Sequence, residues 1–259
     1  MQLIVLGAGS SAGTPVIGCN CATCTSPDPR NKRTRCSSAV LLPGGEVILI
    51  DTGPDLRQQA LRERLPRVDA VLYTHTHADH LHGIDDLRAF CQIQRQQIPL
   101  YGNRSAIDHI SGKFGYALRE PAGFWEIPVL SANSVDQPFN LFGVDIIPIP
   151  LKHGNSDILG YRIGDMAYLT DVSAIPQDSL ALLDDLELLM LDCLRDRPHP
   201  THFDLEQSLA HASLINARNT YLIHMTHELE FAALSRQLPP SVHVAHDGLR
   251  LDFSRHKLA

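Results

Sequence analysis

Within the segment Thr74-His75-Thr76-His77-Ala78-Asp79-His80, four side chains of metal-ligand type fall in six positions: His75, His77, Asp79 and His80. The segment follows the apolar run Val71-Leu72-Tyr73, so it starts at the carboxyl end of a predicted buried strand. In extended backbone, residues two apart point to the same side, which lets His75 and His77 converge on one cation. Asp79 and His80, after the chain turns, can address a second. Imidazole nitrogen and carboxylate oxygen suit Zn²⁺ or Mn²⁺. His153, Asp171 and His224 lie downstream, each at the end of an apolar run. One isolated histidine would read as a polar loop residue, whereas ligand types gathered at strand ends read as a site. A hydroxide held between two cations is activated at neutral pH and aimed at an electrophile, and the cations stabilise a leaving oxygen, which suits phosphoryl transfer.

A second cluster, Cys19-Asn20-Cys21-Ala22-Thr23-Cys24, calls for different chemistry. Its close C-x-C-x-x-C spacing favours metal over free thiols. Three thiolates cannot complete a closed tetrahedral zinc site, which takes four protein ligands. His227, three residues beyond His224, is the candidate fourth, so one chain segment would serve both a catalytic centre and a structural zinc. Cys36, Cys91 and Cys193 stand singly and read as small buried hydrophobes. Arg30, Lys32, Arg33 and Arg35 form a basic run that reads as a solvated face rather than an anion site.

These side chains need elements to hold them. Apolar runs bounded by turn residues predict strands over Leu3 to Leu6, Val47 to Ile50, Val68 to Tyr73, Val144 to Ile149, Met166 to Leu169, Leu186 to Leu191 and Tyr221 to Ile223. Helical spacing of apolar residues predicts helices over Asp55 to Leu65, Ser105 to Leu118, Ser179 to Asp185 and Leu205 to Asn216. The mixture is α/β. Glu120-Pro121-Ala122-Gly123-Phe124-Trp125 reads as a structured loop. The opening Gly7-Ala8-Gly9-Ser10-Ser11-Ala12 follows a strand like a dinucleotide-binding loop, but position 12 is Ala and Pro15 follows, so that reading fails.

The pattern H-x-H-x-D-H with the later His153, Asp171 and His224 resembles the metallo-β-lactamase superfamily, and Leu49-Ile50-Asp51-Thr52-Gly53 matches its early strand-closing Asp. The likeness spans about residues 1 to 250. It implies a four-layer αβ/βα sandwich and two divalent catalytic ions, Mn²⁺ or Zn²⁺. One ion would take His75, His77 and His153, the other Asp79, His80 and His224. Asp171 would bridge both, and Asp51 would steady the ligating imidazoles from behind. The cysteine cluster with His227 is similar to the PhnP-like phosphodiesterases of that superfamily, which adds one structural Zn²⁺. In that group the histidine matching His202, in Thr201-His202-Phe203-Asp204-Leu205, lies near the scissile phosphate and assists the departing alkoxide. The resemblance therefore makes His202, Asp79 and Asp171 the catalytic residues and a small cyclic or nucleotide-like phosphodiester the substrate. Without the family, His202 reads as an exposed residue at a helix start, with His199 a weaker rival.

At 259 residues, with 44% hydrophobic and 20% charged residues, the chain is expected to form one domain over 1–259, with the zinc loop at about 18–25. A formal charge of −7 argues against nucleic acid as a partner. The amino terminus shows no leader pattern and no apolar run reaches membrane length, so a cytoplasmic protein is expected, with a homodimer left open. Two other functions compete. A transfer-RNA 3′-processing endonuclease would use the same ligands, but acidic Asp178, Asp184, Asp185 and Glu187 crowd the interval before His224. An accessory protein of pyrroloquinoline quinone formation would share the cysteine cluster, but it is favoured by ligand loss, and all seven catalytic candidates are present.

Overall fold

Alternation along the first strands sets the layering in the computed structural model, which describes residues 1–118 and 130–254. On β1 (Gln2–Gly7), Leu3 and Val5 enter one apolar core while Ile4 and Leu6 enter another. The same split recurs on β3 (Val47–Ile50), with Ile48 and Ile50 opposite Val47 and Leu49. It recurs again on β4 (Ala70–Leu72). Side chains of period two buried on both faces require a cover on each side.

These strands belong to a seven-stranded sheet completed by β2 (Ser37–Leu41), β5 (Ile98–Gly102), β6 (Leu130–Ser134) and β14 (Arg250–Asp252), in the order β14-β1-β2-β3-β4-β5-β6. Its outer face is covered by helices α1 (Leu56–Glu63), α3 (Leu87–Gln94) and α4 (Arg104–Lys113), through Leu56, Leu87, Phe90, Cys91 and Ile110. The other face meets a second seven-stranded sheet. That sheet contains β7 (Phe139–Leu141), β8 (Val144–His153), β9 (Ser156–Ile163), β10 (Met166–Leu169), β11 (Leu188–Asp192), β12 (Asn219–Ile223) and β13 (Val242–Val244), running β13-β12-β11-β10-β9-β8-β7. Helices α6 (Leu205–Ile215) and α7 (Phe231–Ser235) pack on β11 and β13. The result is the expected four-layer αβ/βα sandwich.

Strands β3 to β6 run parallel, as do β10 to β13. Strand β8 is antiparallel to β9, which is antiparallel to β10, so β8 runs with β10. The carboxyl ends of β3, β4, β8, β10, β11 and β12 therefore open on one edge of the sandwich. At that edge the sheets are tied directly: Leu159 N–H donates to Thr74 O at 3.0 Å, and the buried Tyr161 hydroxyl donates to Tyr73 O at 2.7 Å.

The structure departs from the predicted elements in several places. Strand β8 continues past Ile149 through Pro150 to His153. Strand β9 was not predicted, because Gly160 and Arg162 interrupt its apolar pattern. The predicted α-helix over Ser105 to Leu118 ends at Lys113, and that over Ser179 to Asp185 is a short α-helix, α5 (Gln177–Leu180), continued by a 3-10 turn over Ala181–Leu183. The predicted loop over 120–125, with Trp125, lies outside the described residues. No helix among the described residues is long and apolar enough to cross a membrane.

Candidate metal centres

Three of the strand-end residues occupy left-handed backbone: Asp51 after β3 (φ 61°), Asp171 after β10 (φ 58°) and His224 after β12 (φ 59°). Non-glycine residues there cost roughly 1–3 kcal/mol each and persist only when their surroundings hold them. Asp51 shows how. Its Oδ1 accepts from Thr74 N–H at 2.8 Å, and its Oδ2 accepts from the Thr74 hydroxyl and His80 Nδ1, each at 2.7 Å. It is wholly buried, and Gly53 beside it leaves room that a Cβ would deny to the carbonyl oxygen of Asp79. The short helix α2 (Ala78–Leu81) is thereby pressed against β3, with Thr52 N–H donating to His80 O at 2.7 Å.

The ring orientations follow from these anchors. His80 spends Nδ1 on Asp51, His153 donates Nδ1 to Thr201 O at 2.8 Å, and His75 Nδ1 lies 3.0 Å from the Thr74 hydroxyl. Each is left with Nε2 facing inward, the tautomer a metal ligand needs. At the centre stands Asp171. Its Oδ1 lies 3.1 Å from His80 Nε2 and 3.3 Å from His224 Nε2, while its Oδ2 lies 3.7 Å from His75 Nε2 and 3.9 Å from His153 Nε2. One carboxylate thus faces two ligand sets with different oxygens, as a bridging role requires. Asp79 Oδ2 joins the first set, 3.3 Å from His80 Nε2 and 3.4 Å from His224 Nε2. The exposed ring of His77 completes the second, its centroid 4.6 Å from that of His75 and 5.0 Å from that of His153. All seven predicted ligands converge.

The residues fit a pair of dications. Buried Nε2 atoms of His75 and His80 have no hydrogen-bond partner, which costs free energy unless a ligand takes the lone pair. Burial would raise Asp171, but the imidazoles of His224, His80 and His75 outweigh it and hold the carboxyl well below the usual range. Burial would likewise lower His80, yet the carboxylates of Asp171 and Asp51 hold it well above its usual value. Burial, with His80 close by, drives His75 the other way. A cleft of about 100 Å³ opens beside the cluster, lined by His75, Thr76, His77, Ser105, His153 and Ser156 among others.

His202 is buried rather than exposed at its helix start, which removes the simpler reading of it. Its Nε2 points to Asp171 Oδ2 at 3.8 Å and its Nδ1 to Asp192 Oδ2 at 3.3 Å, and its ring stacks on His224 with centroids 5.0 Å apart. The rival, His199, sits further out, 5.2 Å from His202 by centroids. Asp192 is a residue that sequence reasoning missed. Wholly buried, it accepts from Asp171 N–H and Phe203 N–H, each at 3.1 Å, and its Oδ1 faces His224 Nδ1 at 3.6 Å. The signal was present: Leu191-Asp192 closes an apolar strand as Ile50-Asp51 does.

The cysteine cluster also closes. His227 Nδ1 stands 3.3 Å from Cys19 Sγ and 3.4 Å from both Cys21 Sγ and Cys24 Sγ. A tetrahedral zinc with ordinary Zn–S and Zn–N lengths has N···S edges of roughly 3.5 Å, so the donor set fits. The Cys24 N–H lowers Cys21 to about 6, whereas burial pushes Cys24 up to about 11. The basic run is solvated only in part: Arg30 and Lys32 are exposed as expected, Arg35 is half-buried and Arg33 is buried. Arg30 pairs with Asp28 at 2.7 Å and lies over Phe231, and Arg35 pairs with Asp55 at 3.1 Å. Arg33 is 1% exposed, because the guanidinium finds carbonyl oxygens inside the protein. Cys36, Cys91 and Cys193 are buried as expected.

Residues 46–225 match the model of the beta-lactamase superfamily domain. The chain belongs to the metallo-β-lactamase superfamily of metal-dependent hydrolases. It is 42% identical to the crystal structure of a new diphosphatase from the PhnP family, with a TM-score of 0.92 over 98% of each chain. Zn²⁺-bound PqqB from Methylobacterium extorquens shares the fold at 20% identity, with a TM-score of 0.81 over 98% of this chain and 100% of that one. Among curated proteins, the octanoyltransferase of Porphyromonas gingivalis is 38% identical over 256 residues, 96% of this chain and 51% of that protein. The chain spans about half the length of the curated relatives it matches.

Proposed function

We propose that this superfamily member is a phosphodiesterase acting on small, nucleotide-like phosphate compounds, with Asp171 at its centre and His202 serving the leaving oxygen. The likeness to the PhnP-family diphosphatase, at 42% identity over 98% of both chains, carries this reading. A diphosphate esterified at both ends presents phosphorus with two bridging oxygens, as a phosphodiester does, so one site can serve both bonds. His75, His77 and His153 would hold one dication and Asp79, His80 and His224 a second, with Asp171 facing both, and such ions would supply an activated water and neutralise charge on phosphorus oxygens. A structural zinc would be held by Cys19, Cys21, Cys24 and His227.

The chain's own part is orientation and proton delivery. Asp192 and the stacked ring of His224 fix His202, so a proton on Nε2 is presented towards the Asp171 edge where the leaving alkoxide would depart. The octanoyltransferase of P. gingivalis is about twice this length, so acyl transfer is not assigned to this half. The test is to assay metal-loaded protein on bis(p-nitrophenyl) phosphate, a cyclic ribosyl phosphate, a dinucleoside diphosphate and precursor transfer RNA. Turnover of small compounds without transfer-RNA cleavage is expected. Failure on every small phosphodiester, with tight binding of a small molecule, would replace this reading with the accessory role.

A further inference from the structure

The buried guanidinium of Arg33 has no use in the chemistry above, yet its placement is specific. Its Nη2 donates to Leu229 O at 2.7 Å and to Thr226 O at 3.1 Å. These two carbonyls flank His227 in one turn, closed by Leu229 N–H donating to Thr226 O at 3.3 Å. Nη1 reaches Met225 Sδ at 3.5 Å. The backbone of Arg33 meanwhile pairs with Thr14 in both directions, each bond 2.8 Å, on the strand of chain leading into Cys19. One residue therefore joins the chain that leads into Cys19 to the turn that carries His227.

We propose that Arg33 is the positioning residue of this second centre, a clamp that sets the His227 turn against the cysteine loop. A charge argument supports it independently of the contacts. A guanidinium this deeply buried needs nearby negative charge; Asp247 and Glu230 act on it from beyond ion-pair distance, and Cys24 of the cluster adds to them. Three thiolates and a neutral imidazole around one dication carry a net charge of −1. That would add to the counter-charge next to the turn Arg33 holds. Because Met225 and Thr226 follow His224 directly, the same clamp steadies the chain that carries a catalytic ligand. Lysine could keep the charge, but it lacks the second nitrogen that reaches Met225 Sδ while the first holds both carbonyls.

The assignment rests on reading the three cysteines and His227 as a zinc centre, and the experiment separates the two. Zinc release to a mild chelator and the visible spectrum of Co²⁺-substituted protein are compared for wild type, Arg33→Met, Arg33→Lys and, as reference, His227→Ala. Folded Arg33→Met is expected to release its resistant zinc about tenfold faster, with cobalt bands shifted towards those of His227→Ala. Should Arg33→Met not fold, Arg33→Lys carries the same two readouts, with a smaller shift in the same direction. Wild-type release and bands in the folded variants would overturn the clamp. Equally fast release from a remote core variant of matched stability loss, such as Leu100→Ala, would overturn it too. A wild-type protein with no chelator-resistant zinc would remove the centre and its clamp together, leaving phosphodiester turnover untouched.

Discussion

An imidazole has two nitrogens and a metal uses one, so whatever holds the other decides which lone pair faces inward. Asp51 does this for His80. Replacing it in Asp51→Asn offers His80 Nδ1 an amide donor and turns the lone pair away. The expected result is a loss of catalytic-metal affinity of about 10–100-fold, read by competition with a chromogenic chelator; unchanged affinity would sink the idea. His202 calls for the opposite signature. His202→Ala should lower turnover by roughly 10²–10⁴-fold with metal stoichiometry intact. Asp192→Asn should lower it less, and the double variant should be no worse than His202→Ala alone. Full turnover in His202→Ala would take that residue out of the mechanism.

Among the elements, α6 bears most directly on the site. Asp204 caps it, accepting from Gln207 N–H at 2.8 Å while Gln207 Oε1 accepts from Asp204 N–H at 3.1 Å, a reciprocal pair just after His202. Asp204→Ala should cost about 1 kcal/mol of stability, measured from the urea midpoint, and lower turnover without loss of metal. A variant as stable as the parent would show that the cap carries no such load. The strands that position ligands were legible wherever an apolar run was short and continuous: β3 and β10 match prediction residue for residue. Strand β9 was hidden because its buried residues include Gly160, whose missing side chain makes room for Leu169 and Leu151. Helix α3 carries Leu87, Phe90 and Cys91 at helical spacing, but exposed Ile93 blurs its apolar face.

At the scale of the molecule, two sheets meet along an edge that must stay closed for the ligand sets to face one another. Tyr161→Phe removes the bond to Tyr73 O and leaves a buried carbonyl without that donor, at a cost of about 1–3 kcal/mol. Thermal unfolding with metals removed is the measurement, and an unchanged midpoint would show the tie to be dispensable. The catalytic ligands were readable because they stand in clusters or at the ends of apolar runs. Asp192 carried the same strand-end signal but stands far from the H-x-H-x-D-H cluster, whereas the role of Arg33 exists only after folding. A charge inside a basic run means surface until carbonyls from residues 226 and 229 close around it.

Parallel strands give the sandwich a front and a back. Every residue of the histidine–aspartate cluster follows from carboxyl ends, whereas the hairpin Leu42-Pro43-Gly44-Gly45-Glu46 enters β3 from the far side and is exposed at Pro43, Gly44 and Gly45. A peptide spliced between Gly44 and Gly45 should leave metal content and turnover as they were, since exposed loop tips of this kind tolerate insertion. Immobilised through such a handle, the enzyme would present its reactive mouth outward, an orientation that the direction of its strands has already chosen.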